Sequence, residues 1–305
     1  MTRIRVAATV AVLTAVTLTG CARATDMQTL AGAAPAGPQV LSDIVGKLYG
    51  ATGHREAGQE RQFYAWQAAM GACMVGKGQQ FGLPSFTPIS QAGSKIGPGD
   101  ILAFAPQRDS FGIGDRTVQA ARVGGQDNPA LLKLSGAAAE AWLAAQGECE
   151  PATKATEDLA VPANMATPAV SLQEELAAIQ QQLAPGLDAA WKSCMAAAGH
   201  QVEDLSDVSG LVGKRYPPVT FEQASDPTRL PGWGEAVAFE RAVAATDWQC
   251  RAGESTRVVN ASGEKLAVWQ AAHAVELDAV AAAWAQMPTL RDTAKAAALK
   301  VATVK

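Results

Sequence analysis

Five cysteines, three histidines and one serine–lysine pair are the residues of this 305-residue chain whose types and spacing could do chemistry. Ser262-Gly263-Glu264-Lys265 matches S-x-x-K, in which a lysine one helical turn from a serine takes its hydroxyl proton and leaves an acyl-accepting nucleophile. The S-D-N and K-T-G partners of that motif do not occur, and a serine that opens a helix already has a use as its N-cap. Ser262 and Lys265 therefore define an alternative reading, an envelope hydrolase or transpeptidase. The chain has no G-x-S-x-G elbow, no H-E-x-x-H and no C-x-x-C, the signatures of esterase, zinc-protease and thiol-redox chemistry. His54, His200 and His273 are too widely spaced to suggest a metal set. His200 directly follows Gly199 and suits a helix C-terminus; His273 falls on an apolar stripe and reads as a core or interface histidine. No metal and no cofactor is implied.

The cysteines say more. Arg3 and Arg5 precede an uncharged apolar stretch from Val6 to Leu18, and small residues lead to Gly20 and Cys21. That is the layout of a secretory signal, and it is shorter than the roughly 20 apolar residues a membrane span needs. Leu18-Thr19-Gly20-Cys21 resembles the lipobox of bacterial lipoproteins, in which the cysteine receives a diacylglyceryl group and becomes the mature N-terminus. Two or more acyl chains, such as palmitate, hold a protein stably on a bilayer where one chain is marginal. The sequence thus points to an exported protein anchored through Cys21 to the outer face of the plasma membrane.

With Cys21 set aside, Cys73, Cys149, Cys194 and Cys250 remain, an even number in a compartment where thiols oxidise. Four cysteines allow three connectivities. Cys73-Met74-Val75-Gly76-Lys77-Gly78 and Cys194-Met195-Ala196-Ala197-Ala198-Gly199 share C-M-x-x-x-G, and each follows an apolar periodic run, as a helix stopped by glycine would. Cys149 and Cys250 each close a second helical run. A duplicated plan of this kind favours pairing within each copy, Cys73 with Cys149 and Cys194 with Cys250.

The lipobox, the C-M-x-x-x-G helix ends, the Ala244-x-x-Asp247-x-x-Cys250 helix and a final amphipathic helix together resemble a group of alanine-rich actinobacterial lipoproteins with no assigned activity. The first copy departs from the pattern, with Gln146 where the aspartate would fall. The resemblance implies an extracytoplasmic helical module and transfers no catalytic residue.

Composition bounds the partners. The chain is 48% hydrophobic and 18% charged, enough for a folded core and too apolar for a disordered tail. Its 25 basic and 29 acidic residues include no basic run, so nucleic acid has no electrostatic footprint. Removing residues 1–20 takes two arginines and no acid, which makes the exported body more acidic.

The elements that must position these residues are helices. The pattern predicts a mainly α fold of two diverged tandem units with long Gly/Pro-containing loops, stapled by disulfides. Residues 1–20 read as signal peptide, 21–39 as flexible tether, 40–150 as the first unit, 151–170 as linker and 171–305 as the second unit with C-terminal helices. Helices are expected at 41–49, 56–75, 131–147, 171–183, in a second segment beyond Pro185 to Ala198, and at 232–251, 262–287 and 289–301, with loops and a short hairpin near Asp100 to Phe104 in the punctuated stretch 78–129 and a shorter loop excursion through Pro217, Pro218 and Pro231. Ser171-Leu172-Gln173-Glu174 reads as a capping box. Leu266, Trp269, His273, Leu277, Val280, Trp284 and Met287 recur at steps of three or four, a packing stripe. Six of the seven tryptophans lie at helical spacing, whereas Trp233, between Gly232 and Gly234, reads as loop-placed and is the best candidate for an exposed ligand contact. The function this supports is non-enzymatic binding at the cell envelope, to an unknown protein or a small hydrophobic ligand.

Overall fold

The computed structural model describes residues 36–88, 99, 101–124 and 128–303, and residues 34–305 cluster as one compact unit. The described residues contain eleven α-helices and no strand, with the two expected disulfides, so the fold is mainly α. In chain order the helices are α1 (Gly37–Tyr49), α2 (Thr52–Gly76), α3 (Ile113–Gly124), α4 (Ala137–Thr153), α5 (Ala166–Leu183), α6 (Leu187–Ala197), α7 (Leu205–Gly213), α8 (Trp233–Ala261), α9 (Gly263–Ala272), α10 (Ala274–Ala285) and α11 (Met287–Ala302).

The two halves interleave. α11 lies along α2, α1 packs on α8, α9 and α10, and one apolar core draws Ile44 and Leu48 from α1 together with Leu176 of α5, Trp191 of α6, Val243 of α8 and Trp284 of α10. Gly71 of α2 has no room for a Cβ, since Phe81 and Val301 occupy the space, and this lets α11 approach closely. Residues 151–170, expected as a linker, carry the end of α4, a 3-10 turn and the start of α5, with Thr153 and Thr156 buried. α1 begins at Gly37, inside the stretch 21–39 expected as a tether, of which residues 21–35 lie outside the described residues.

The two C-M-x-x-x-G ends close in the same way. Gly78 and Gly199 sit at φ 76° and 90°, where a side chain would be strained. The backbone N–H groups of Gln79 and His200 donate back to Met74 and Met195 at 2.9 Å, while those of Gly78 and Gly199 donate to Val75 and Ala196. This satisfies carbonyls that a helix end otherwise leaves bare. Cys73 and Cys149 are joined across a Cα–Cα distance of 5.7 Å, and Cys194 and Cys250 across 5.6 Å.

Several expectations need correction. α3 and α7 fall in stretches read as loops, and residues 101–104 form a turn in which the Phe104 N–H donates to Ile101, with no hairpin. α5 starts at Ala166, so Ser171 is inside the helix and caps nothing. The 262–287 helix is three pieces, interrupted at His273 and Gln286. Its stripe nonetheless packs: Leu266, Trp269, Leu277, Val280, Trp284 and Met287 are all buried.

Candidate functional site

α8 carries both of the buried acidic side chains that organise this end of the molecule. Trp233, Val237, Glu240 and Arg241 recur at helical spacing and share a face. On α3, Gly114, Asp115, Val118, Gln119 and Arg122 do the same. The two faces, with Ser110 from just before α3 and Tyr216 and Pro227 from the stretch leading into α8, enclose a solvent-open cavity of about 540 Å³.

Glu240 holds the cavity's frame. It is only 2% exposed, and its carboxylate accepts from Ser110 Oγ at 2.7 Å, from the Ile113 N–H at 2.9 Å, from the Gly114 N–H at 3.4 Å and from the Tyr216 hydroxyl. Ile113 and Gly114 open α3, where N–H groups lack intrahelical partners and the helix dipole favours an anion. Burial alone would raise the Glu240 pKa, but the donors outweigh it and hold the carboxyl below the ordinary range. Burial and the bond to Glu240 push the Tyr216 phenol upward, so it remains a donor. Gly114 is required by close approach, since a Cβ there would lie 2.7 Å from the Tyr216 hydroxyl.

The remaining lining gives the cavity its character. The Trp233 and Tyr216 rings meet edge-to-face, 4.8 Å between centroids. Arg122 donates twice to the Ala224 carbonyl, at 2.8 and 3.2 Å, and Gln119 donates to Pro88. Arg241 is exposed at the cavity wall and has no ion pair among the described residues. The arrangement can offer an aromatic wall, a guanidinium and a pre-satisfied carboxylate, and supplies no positioned nucleophile.

Sequence-derived candidates are distributed as follows. Trp233 is the first residue of α8 and 7% exposed, which corrects its reading as an exposed loop aromatic; it is nonetheless a wall of the cavity. Ser262 is completely buried, with its hydroxyl donating to the Val259 carbonyl at 2.8 Å, beneath Gly37 of α1. Its side chain caps no helix, and no bond joins it to Lys265. A substrate cannot reach that hydroxyl. His200 packs its ring edge-on against Phe239. His273 sits at the α9–α10 break, half-buried, with Nδ1 2.6 Å from Glu276 Oε2, a partner one turn along that the apolar-stripe reading passed over. Cys21 and the signal segment lie outside the described residues.

Sequence reasoning missed Glu240, Tyr216, Arg122 and Arg241. A signal existed for two of them: on α8, Glu240 and Arg241 continue the spacing of Trp233 and Val237, so a carboxylate and a guanidinium stand on an otherwise apolar face. The second buried acid of α8, Asp247, was visible only as a motif position, without its partner Arg251. Asp247 and Arg251 pair at 2.9 Å, both about 2% exposed. Trp191 Nε1 donates to Asp247, and Arg251 reaches the carbonyls of Ala105 and Pro106 at 2.5 and 3.0 Å. This network clamps the segment 101–106 onto α8.

Comparison with protein families, with curated proteins and with solved structures returned no match. Among the described residues no group of three or more His, Cys, Asp or Glu could hold a metal ion, and no helix is long and apolar enough to cross a membrane.

Proposed function

We propose that this chain is an exported lipoprotein, tethered through Cys21 to the outer face of the plasma membrane, that binds a small ligand non-covalently in the cavity between α3 and α8. The lipobox and the two disulfides support the location, since paired thiols persist in oxidising compartments. One observation carries the binding reading: a solvent-open cavity of about 540 Å³, a volume typical of small-molecule sites, walled by Trp233 and Tyr216 and edged by Arg241. The half-polar lining suits an amphipathic ligand better than a purely hydrophobic one, with its apolar body against the two rings and an acceptor-bearing head toward the guanidinium.

Native mass spectrometry of detergent-free protein from its own host tests this. A retained small molecule that is lost from the Arg241→Ala and Trp233→Ala proteins, with Ser262→Ala unaffected, is the expected result. Retention by all variants, or a cavity that takes up no small molecule from a host metabolite extract, overturns the binding reading.

A further inference from the structure

Away from the cavity, the break between α9 and α10 brings Trp269, His273 and Glu276, neighbours in sequence, against Ser171, which is about a hundred positions away. Ser171, in the middle of α5, places its Oγ 3.3 Å from Nε2 of His273. The other ring nitrogen, Nδ1, lies 2.6 Å from Glu276 Oε2. Trp269 stacks on the imidazole, 4.4 Å between centroids at 29°, and its Nε1–H donates to the same Ser171 Oγ at 3.2 Å.

With a neutral imidazole, the donor inventory admits one closed set of proton positions. An indole N–H can only donate, and a carboxylate can only accept. The network closes when the indole donates to Ser171, Ser171 donates to Nε2, and Nδ1–H donates to Glu276. That is the order of groups that activates a serine: a hydroxyl on a neutral imidazole, whose tautomer and ring plane are fixed by a carboxylate. Here the stacked indole fixes the ring plane as well, and its N–H faces the oxygen that gains charge as the proton leaves. Ser171 and His273 are half-buried and Glu276 is exposed, so a small reagent can reach the hydroxyl, in contrast to Ser262.

We infer that Ser171 is an activated nucleophile, with His273 as its general base and Glu276 and Trp269 as positioning residues, and that it accepts an acyl group from small, sterically open esters. In the step, Ser171 Oγ bonds to the carbonyl carbon while its proton passes to His273 Nε2. The ester C–O bond then breaks, and the departing alcohol takes that proton from Nε2. The products are an acylated Ser171 and one alcohol, with no further reactant. This site is independent of the cavity and stands or falls separately from it.

The test is covalent labelling of the full-length, oxidised protein with a fluorophosphonate and with p-nitrophenyl acetate, mapped by peptide mass spectrometry. One modified serine, Ser171, is expected, with Ser262 unlabelled. Ser171→Ala abolishes the modification. His273→Gln slows it about 100-fold, the scale of a lost general base. Glu276→Gln and Trp269→Phe slow it by smaller factors, and circular dichroism of each variant reports that the fold is kept. Absence of label on Ser171 in the folded wild-type protein overturns the inference. So does labelling of Ser171 at an undiminished rate in folded His273→Gln, which shows an ordinary exposed hydroxyl.

Discussion

The two disulfide regions end their helices with the same motif and the same backbone geometry, yet they are built on different physics. Around Cys73–Cys149 the support is apolar: Met70, Met74, Phe81, Trp142 and Ala145 form a small cluster of their own, with the Phe81 and Trp142 rings stacked and Trp142 Nε1 donating to the Gln80 carbonyl. Its ion pair, Lys77 with Glu148, is on the surface. Around Cys194–Cys250 the disulfide lies at the edge of the main core, with Cys250 half-buried against it and Cys194 exposed, and the ion pair of Asp247 with Arg251 is inside. At matching positions the first region has Gln146 and Glu150, the second Asp247 and Arg251. The buried Asp247–Arg251 pair, which Gln146 and Glu150 cannot form, ties the second helix to a remote segment, residues 101–106. A shared motif sets how a helix ends; its neighbours set what that end holds.

The sharpest way to break the comparison is to remove each staple. Their separations, 76 and 56 positions, correspond in the chain-entropy view to about 4 to 4.5 kcal/mol each. Paired Cys→Ala replacement at either site should lower stability by a similar amount in urea unfolding, but only loss of Cys194–Cys250 should also loosen residues 101–106, read by hydrogen exchange. Equal loosening by both would erase the distinction.

Next in size is the ion pair. Arg251→Met leaves a buried aspartate without its cation, a change that costs about 3 kcal/mol or more. Glu148→Gln, at the exposed pair of the other region, should leave the melting temperature unchanged within error, because surface pairs contribute little and are screened by salt. Comparable destabilisation by the two would show that burial is not what separates the regions.

The smallest effect is acid sensitivity. Glu240 has a depressed pKa in the fold, so its contribution is complete above the ordinary glutamate value near 4.3 and is lost as pH falls through the lower folded value. Below about pH 4, Tyr216 and the start of α3 should detach before the Cys73–Cys149 region changes, seen as altered tyrosine and Trp233 fluorescence. Glu240→Gln should remove that early step; its persistence would assign the step to another group.

These contrasts also mark what the sequence could show. Helix ends were readable because a glycine after C-M-x-x-x acts locally, and the stripe of α9 and α10 because burial follows helical period. α3 was not readable, since Gly112, Gly114 and Gly124 look like breakers and the helix is seated by Glu240, 127 positions away from Ile113. Asp247 and Arg251, at i and i+4, have the spacing of an ordinary surface pair; only the segment folded over them makes them interior. Trp233 reads from its flanking glycines as an exposed tip, and it is instead the buried first residue of α8 and a wall of the cavity. Ser171 and His273 meet only through tertiary packing, which no local pattern encodes.

The central claim is that four thiols, paired as two disulfides, staple a body proposed to be held outside the cell by a lipid on a fifth. Non-reducing peptide mapping of the protein taken from the membrane fraction of its host addresses it most directly. The account requires cross-linked peptides joining Cys73 to Cys149 and Cys194 to Cys250, and a lipid-bearing peptide that begins at Cys21. Free thiols at those four positions, a crossed pairing, or an intact leader ahead of an unmodified Cys21 would contradict it.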